Sequence, residues 1–199
     1  ATQVGPRDRA LCVLPLSHIN GLVTTFLSPL LSGGSVVYFQ EDFTPQKTLE
    51  LVDSYQCTWF SAVPTHYTLM LSPPVPPSEW SLQTLCFCRS ASAPLASRTL
   101  REFEEHYGVP IIETMGTTET AGQIFSNPQP PQAHKAGKVG LPYGFDIRLV
   151  SDNHLVAEPN RIGELQVRGD AMMRGYLDDP AETGKALDGE WLRTGDLAE

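Results

Sequence analysis

Hydrophobic and polar positions alternate along this chain at two different periods, and the changes of period mark out its elements. Residues 35–40 are β-branched and aromatic after the Gly33-Gly34 turn, which predicts a short strand. Thr44 and Pro45 offer an N-cap and a first-turn proline for a helix running to about Tyr55. A second strand is expected over 57–63, a short helix over 64–71 and a third strand over 82–88. Ala96, Leu100, Phe103 and Tyr107 then recur at helical spacing with Arg101, Glu102, Glu104 and Glu105 turned outward, and Gly108 stops the helix. Residues 109–112 read as a fourth strand. Strand and helix alternating in this way predict an α/β fold, with a mostly parallel sheet flanked by helices, over residues 1–140. From 141 the pattern changes to short strands, at 146–150 and 163–167, separated by turns. The expectation for 141–199 is a small β-rich subdomain.

Composition narrows the class. A hydrophobic content of 41% with 19% charged residues is that of a globular domain, neither disordered nor membrane-embedded. A net charge of −9 and the lack of any basic cluster argue against nucleic acid as a partner. The longest apolar stretch, 22–31, is interrupted by Thr24, Thr25, Ser28 and Pro29 and is too short for a transmembrane segment. The N-terminus shows no basic-then-apolar signal pattern. Prolines gather at 73–77 and 128–131, which predicts surface loops there. Cys12, Cys57, Cys86 and Cys88 form no Cys-x-x-Cys pair, so free thiols in a reducing compartment are expected. That fits a cytoplasmic protein, with an organelle such as the peroxisome or mitochondrion left open. His66, His106, His134 and His154 have no ligand spacing.

Candidate chemistry concentrates in residues 113–122. A strand feeds a Gly116-hinged loop in which Thr117, Thr118 and Glu119 stand together. Hydroxyls bond phosphate oxygens without adding charge, and a hard carboxylate holds Mg²⁺, so this trio reads as a polyphosphate-and-metal site. In a parallel sheet, ligand loops sit at the carboxyl ends of strands, where residues 90–94 and 115–119 both fall.

Further segments accompany that loop in a fixed order. They are Leu14-Pro15-Leu16-Ser17-His18-Ile19-Asn20-Gly21, then Ser90-Ala91-Ser92-Ala93-Pro94-Leu95, then Gly163-Glu164-Leu165-Gln166-Val167-Arg168-Gly169, Met173-Arg174-Gly175-Tyr176 and Trp191-Leu192-Arg193-Thr194-Gly195-Asp196. The series resembles the adenylate-forming (AMP-binding) superfamily over nearly the whole chain. Asn127-Pro128-Gln129-Pro130-Pro131 and Gly137-Lys138-Val139-Gly140-Leu141-Pro142 resemble its acid–CoA ligase branch most. The resemblance implies that the β-rich part is a distorted barrel. It also implies ATP or AMP, Mg²⁺ and CoA as the small molecules, with a carboxylic acid as substrate.

Site roles follow from the same resemblance. Glu119 is similar to the Mg²⁺ ligand and Thr118 to the residue that bonds the AMP phosphate. Ser92, Ala93 and Pro94 are similar to the adenine-side wall, joined by Met115, Gly116 and Thr117, and Asp196 to the acid that holds the ribose hydroxyls. His18 is similar to the histidine at the floor of the acyl pocket, a pocket to which Gly122 and Trp59 also belong. Two positions depart from the pattern: Met115 stands where many relatives stack a tyrosine on adenine, and Gly122 where oxalate-type relatives carry a histidine. The glycine removes a positive partner and favours a monocarboxylate with a larger tail.

No Ser/Thr/Gly-rich run ending in Pro-Lys-Gly occurs in the sequence, and no equivalent of the family's C-terminal lysine domain. The reading is a central piece of the family's large N-terminal domain, from a longer acid–CoA ligase, inactive on its own and needing the rest of the parent chain. An adenylation domain loading a carrier protein, or a catalytically silent nucleotide-binding fragment, are the alternatives.

Overall fold

The computed structural model describes residues 3–39, 41–74, 76–129, 131–132, 134–152, 154–156 and 158–199. Gln40 at the expected end of the first strand, and Val75 and Pro130 in the two proline-rich loops, lie outside those residues. Two sheets organise the described chain. The first has seven strands, and its central ones are short and apolar: β1 (Arg9–Cys12), β2 (Ser35–Tyr38), β3 (Trp59–Ala62), β4 (Phe87–Ser90) and β5 (Ile111–Thr117). With β6 (Gly122–Ser126) and β7 (Leu141–Pro142) the spatial order is β2-β1-β3-β4-β5-β6-β7. Strands β2 to β5 pair in parallel, while β6 and β7 join antiparallel. The sheet is therefore mostly parallel, as the alternation of periods requires.

Helices Ser28–Leu31 (α1), Pro45–Tyr55 (α2), Pro64–Met70 (α3) and Ser97–Tyr107 (α4) lie between these strands. Thr44 caps α2 by accepting from the Lys47 backbone N–H, with Pro45 in the first turn. Register sorts the two faces of the sheet. Leu11, Phe60, Cys88 and Ile111 are neighbours across four strands and share one core with Leu49 and Val52 of α2, Tyr67 and Met70 of α3, and Leu100 and Phe103 of α4. The alternate positions Ala10, Trp59, Phe87 and Ile112 form a smaller cluster on the opposite face.

The second sheet is antiparallel and curled, with β8 (Asp146–Ser151), β9 (His154–Leu155), β10 (Gly163–Arg168), β11 (Leu187–Asp188) and β12 (Trp191–Ala198) in the order β11-β12-β10-β8-β9. A last helix, α5 (Pro180–Ala186), precedes β11 and is capped by Asp179. Leu165, Val167 and Leu192 pack against Ile124 of β6, so the two sheets share a core. Arg148 and Arg168 place their guanidinium groups over the Trp191 ring at 4.4 and 4.9 Å from its centroid.

Several expectations need correction. The third strand runs Phe87–Ser90, not 82–88: Leu82 and Leu85 join the core from a loop, so their apolarity reflects tertiary packing rather than strand pairing. The fourth strand runs on to Thr117, because β6 returns antiparallel and pairs with residues expected in the loop. Asn20–Leu27, which overlaps the start of the apolar stretch 22–31 and carries no predicted element, forms a π-helix that continues into α1. Among the described residues no helix is long and apolar enough to cross a membrane.

Candidate active site

Strands β4 and β5 end at the same edge of the sheet, and the π-helix Asn20–Leu27 contacts β1, β3 and β6 nearby. Between them is a cavity of about 300 Å³. His18, Asn20 and Thr24 line it from the segment after β1, Arg89 and Ser92 from β4 and its exit, and Thr114 to Glu119 from β5 and its turn. Gly122 and Gln123 complete it from β6. Of the residues expected at the site, His18, Ser92, Met115, Gly116, Thr117, Thr118, Glu119 and Gly122 thus line one cavity. The volume is at the small end of the range for ligand pockets.

The turn after β5 is built by hydroxyls. Thr118–Thr120 form a single 3-10 turn with Thr117 as its N-cap and Ala121 in the left-handed region at φ 55°. Thr120 is buried and ties both ends: its Oγ1 accepts from the Thr117 N–H at 3.2 Å and lies 3.1 Å from the Thr117 carbonyl and 3.0 Å from the Gly122 carbonyl. The reciprocal capping leaves Thr118 and Glu119 projecting from a fixed loop. Ser92, another lining residue, is also held at positive φ, 72°, a conformation uncommon for non-glycine residues.

Glu119 is the cavity's carboxylate. Partial burial alone would raise its pKa. Hydrogen bonds from its own backbone N–H, the Tyr176 hydroxyl and the Thr117 hydroxyl outweigh that and hold it below the usual carboxylate value. Tyr176 Oη donates to Glu119 Oε1 at 2.9 Å, and the Met173 N–H donates to the Glu119 carbonyl at 2.6 Å. Glu119 is therefore ionised at neutral pH. Among the described residues no group of three His, Cys, Asp or Glu side chains could hold a metal ion alone. One ionised carboxylate beside threonine hydroxyls is the donor set that suits Mg²⁺ carried in by substrate phosphates.

Deeper in the cavity wall is a residue that sequence reasoning missed. Arg89 is only 2% exposed. Its Nη2 donates to Thr114 Oγ1 at 3.1 Å and Gln123 Oε1 at 2.6 Å, and Tyr67 Oη donates to its carbonyl at 2.5 Å. Nε and Nη1 have no hydrogen-bond partner. Burial lowers its pKa to about 10, opposed by Tyr67, so it remains a cation at neutral pH. Asn20, whose Oδ1 accepts from Ser61 Oγ at 3.0 Å, likewise keeps an unpartnered buried Nδ2. The available signal was an arginine inside the otherwise apolar and small run Phe87–Ser90.

The structure does not bring every expected residue to the cavity. Ala93 and Pro94 are exposed beyond Ser92. Trp59 is buried on β3, stacks on Phe87 at 5.6 Å and lines an adjoining cavity that shares Thr24 and Gln123 with the first. Asp196 is exposed on β12 and is not among the lining residues. Its position has its own geometry. Arg193 pairs with Gln166 and Leu197 with Glu164, so Thr194, Gly195 and Asp196 together face the single residue Leu165. Thr194 Oγ1 donates to the Leu165 carbonyl at 2.8 Å and accepts from the Asp196 N–H at 3.1 Å. The Thr-Gly-Asp segment is thus a bulge that lifts Asp196 out of the ladder.

A threonine turn, an ionised carboxylate and a small cavity meet at the carboxyl ends of parallel strands, the place where open sheets of this kind bind ligands. The family profile described as "AMP-binding enzyme" matches residues 1–177, and the chain belongs to that family. It is 41% identical over 98% of its length to a sulfoacetate–CoA ligase from Cupriavidus necator, covering 38% of that protein. It is 35% identical over 96% of its length to an oxalate–CoA ligase from Saccharomyces cerevisiae, covering 35% of it. Among solved structures, ATP-bound MatB from Rhodopseudomonas palustris superposes with a TM-score of 0.87 at 29% identity, over 98% of this chain and 38% of that one. An o-succinylbenzoate CoA synthetase from Bacillus subtilis, in complex with ATP and magnesium, gives 0.81 at 29% identity, over 96% and 38%. The chain therefore spans well under half the length of these relatives.

Proposed function

We propose that these residues are the acid- and nucleotide-binding core of an ATP-dependent acid–CoA ligase. The acid's carboxylate attacks the α-phosphorus of ATP, pyrophosphate leaves and an acyl-adenylate forms. The CoA thiol then attacks the acyl carbon and AMP departs. The observation that carries the reading is the meeting of Ser92, Thr117, Thr118, Glu119 and His18 in one cavity of a chain whose curated relatives are acid–CoA ligases.

In this reading Thr118 donates to a phosphate oxygen, beside Thr117 at the head of the turn, from a loop that Thr120 holds in place. Preorganised donors of this kind stabilise charge as it develops, because they need no reorientation during the reaction. Glu119 holds Mg²⁺, which neutralises polyphosphate charge when bound. Ser92 and Met115 lie along the base, His18 orients the acid, and Asp196 takes the ribose hydroxyls from its bulge. We assign ATP, Mg²⁺ and CoA to the whole enzyme. The 199 residues alone, without a Pro-Lys-Gly phosphate loop, are expected to be inactive.

The test is pyrophosphate exchange dependent on a carboxylic acid, measured on the intact enzyme that carries this segment. Exchange with thioester formation on CoA supports the proposal. Exchange with transfer only to a carrier protein's phosphopantetheine changes the acceptor, and no exchange with any acid overturns the reading.

A further inference from the structure

A guanidinium taken out of water without a carboxylate is unfavourable unless something else compensates its charge. Arg89 makes no ion pair among the described residues, and its two hydrogen-bond acceptors, Thr114 Oγ1 and Gln123 Oε1, are both neutral. Two of its three nitrogens, Nε and Nη1, are buried without partners, and the residue is part of the cavity lining. Arginine presents its donors in a planar fork that matches a carboxylate or sulfonate edge, so the missing partner is an anion. Gln123 fixes the guanidinium from one side and cannot neutralise it.

Position identifies which part of the substrate this anion is. Arg89, Thr114 and Gln123 form one hydrogen-bonded group in the cavity lining, while the threonine turn begins at Thr117. Three residues of extended strand separate Thr114 from Thr117, at most about 10 Å. The activated carboxylate must reach the α-phosphorus near Thr117 and Thr118, so Arg89 is placed for the other end of a short acid.

We infer that Arg89, oriented by Thr114 and Gln123, binds a second anionic group on the acid, making the preferred substrate a short carboxylic acid with a distal carboxylate or sulfonate. The inference rests on the acid–CoA ligase reading. It also alters the expectation drawn from Gly122: the histidine absent at that position is replaced by a cation from β4, on the far side of β5, so a monocarboxylate with a larger tail is not the favoured class.

The experiment is acid-dependent pyrophosphate exchange by the intact enzyme with three sets of acids matched in length: uncharged monocarboxylates, dicarboxylates and sulfonated carboxylates. The expected result is a kcat/KM on the order of 100-fold higher for one or both anionic sets. The comparison of carboxylate with sulfonate then shows which anion the fork prefers. Arg89→Met should raise KM for the anionic acids on the order of 100-fold and leave the uncharged acids within a few-fold. Gln123→Leu, which keeps the cation but frees its orientation, should produce the same change in smaller measure. If Arg89→Met does not fold, the wild-type acid profile and Gln123→Leu decide the matter. Exchange that favours uncharged acids in the wild type would overturn the inference and leave the ligase reading intact. Absence of exchange with every acid would remove both.

Discussion

Tyr176 reaches Glu119 across 57 residues of sequence, its hydroxyl 2.9 Å from Oε1. The same stretch donates the Met173 N–H to the Glu119 carbonyl. The carboxylate assigned to the metal is therefore held by its own loop and by the segment leading into α5. Hydrogen bonding to Glu119 also raises the Tyr176 pKa, which keeps the phenol protonated and donating through the neutral range.

Tyr176→Phe should move the acid limb of adenylation to higher pH. Glu119 has a depressed pKa in the folded state, so its charge contributes above the unfolded value and is lost as pH falls through the folded one. Removing one donor weakens the depression, and protonation sets in sooner. The pH profile of pyrophosphate exchange checks this. An unmoved limb with an altered melting temperature would make the contact purely structural.

Glu119→Gln keeps the shape of the side chain and removes its charge. Adenylation should fall at least 100-fold, or about 3 kcal/mol in the barrier. Thioester formation from supplied acyl-adenylate should fall much less, because pyrophosphate and its metal have already left. Equal damage to both half-reactions would assign Glu119 to loop structure.

Thr120 touches no substrate in the proposed scheme, yet its hydroxyl joins both ends of the turn. Thr120→Val leaves the Thr117 N–H without that acceptor and should destabilise the fold by about 1–3 kcal/mol. Thr120→Ser retains the hydroxyl and should restore most of the loss. Chemical denaturation with parallel exchange assays separates the two variants.

Gly116 on β5 and Gly122 on β6 lie diagonally across the β5–β6 pair and have different tolerances. A Cβ on Gly116 would lie 1.7 Å from the Gly122 carbonyl oxygen, so Gly116→Ala should prevent the hairpin from closing. A Cβ on Gly122 would meet only Thr24 Oγ1 at 3.4 Å, but φ is +122°. Gly122→Ala should cost about 1–2 kcal/mol of backbone strain and slow all acids alike. Gly122→His adds bulk at the cavity and should also disfavour long or branched acids. Thermal melts and an acid panel for the three variants test this, and identical acid profiles for wild type and Gly122→His would remove Gly122 from the pocket.

The sequence was most legible where one physical rule governed a segment. Thr44-Pro45 and the apolar spacing of residues 96–107 marked α2 and α4 because capping and burial act locally there. Strand β1 was illegible: Arg9–Cys12 is short, begins with an exposed arginine and draws its role from parallel neighbours far away in sequence. The hydroxyl-and-carboxylate turn could be read because its chemistry is contiguous. Arg89 and Tyr176 could not, since nothing local shows that one is buried without a counter-charge or that the other meets Glu119.

The bulge at Thr194–Asp196 leaves β12 fastened in two places. Leu192 is locked in the core beside Val167, while beyond the bulge the exposed Leu197 pairs with Glu164, and Ala198 pairs with Gly163 and packs against the edge of the same core. The strand works as two short zippers sharing a loose tooth, and Gly195, at φ 75° with no atom within 4 Å of a would-be Cβ, is that tooth. Asp196 can turn through a small backbone rotation while the ladder on both sides stays closed, so amide hydrogen exchange should be faster at Gly195 and Asp196 than at the paired residues flanking them.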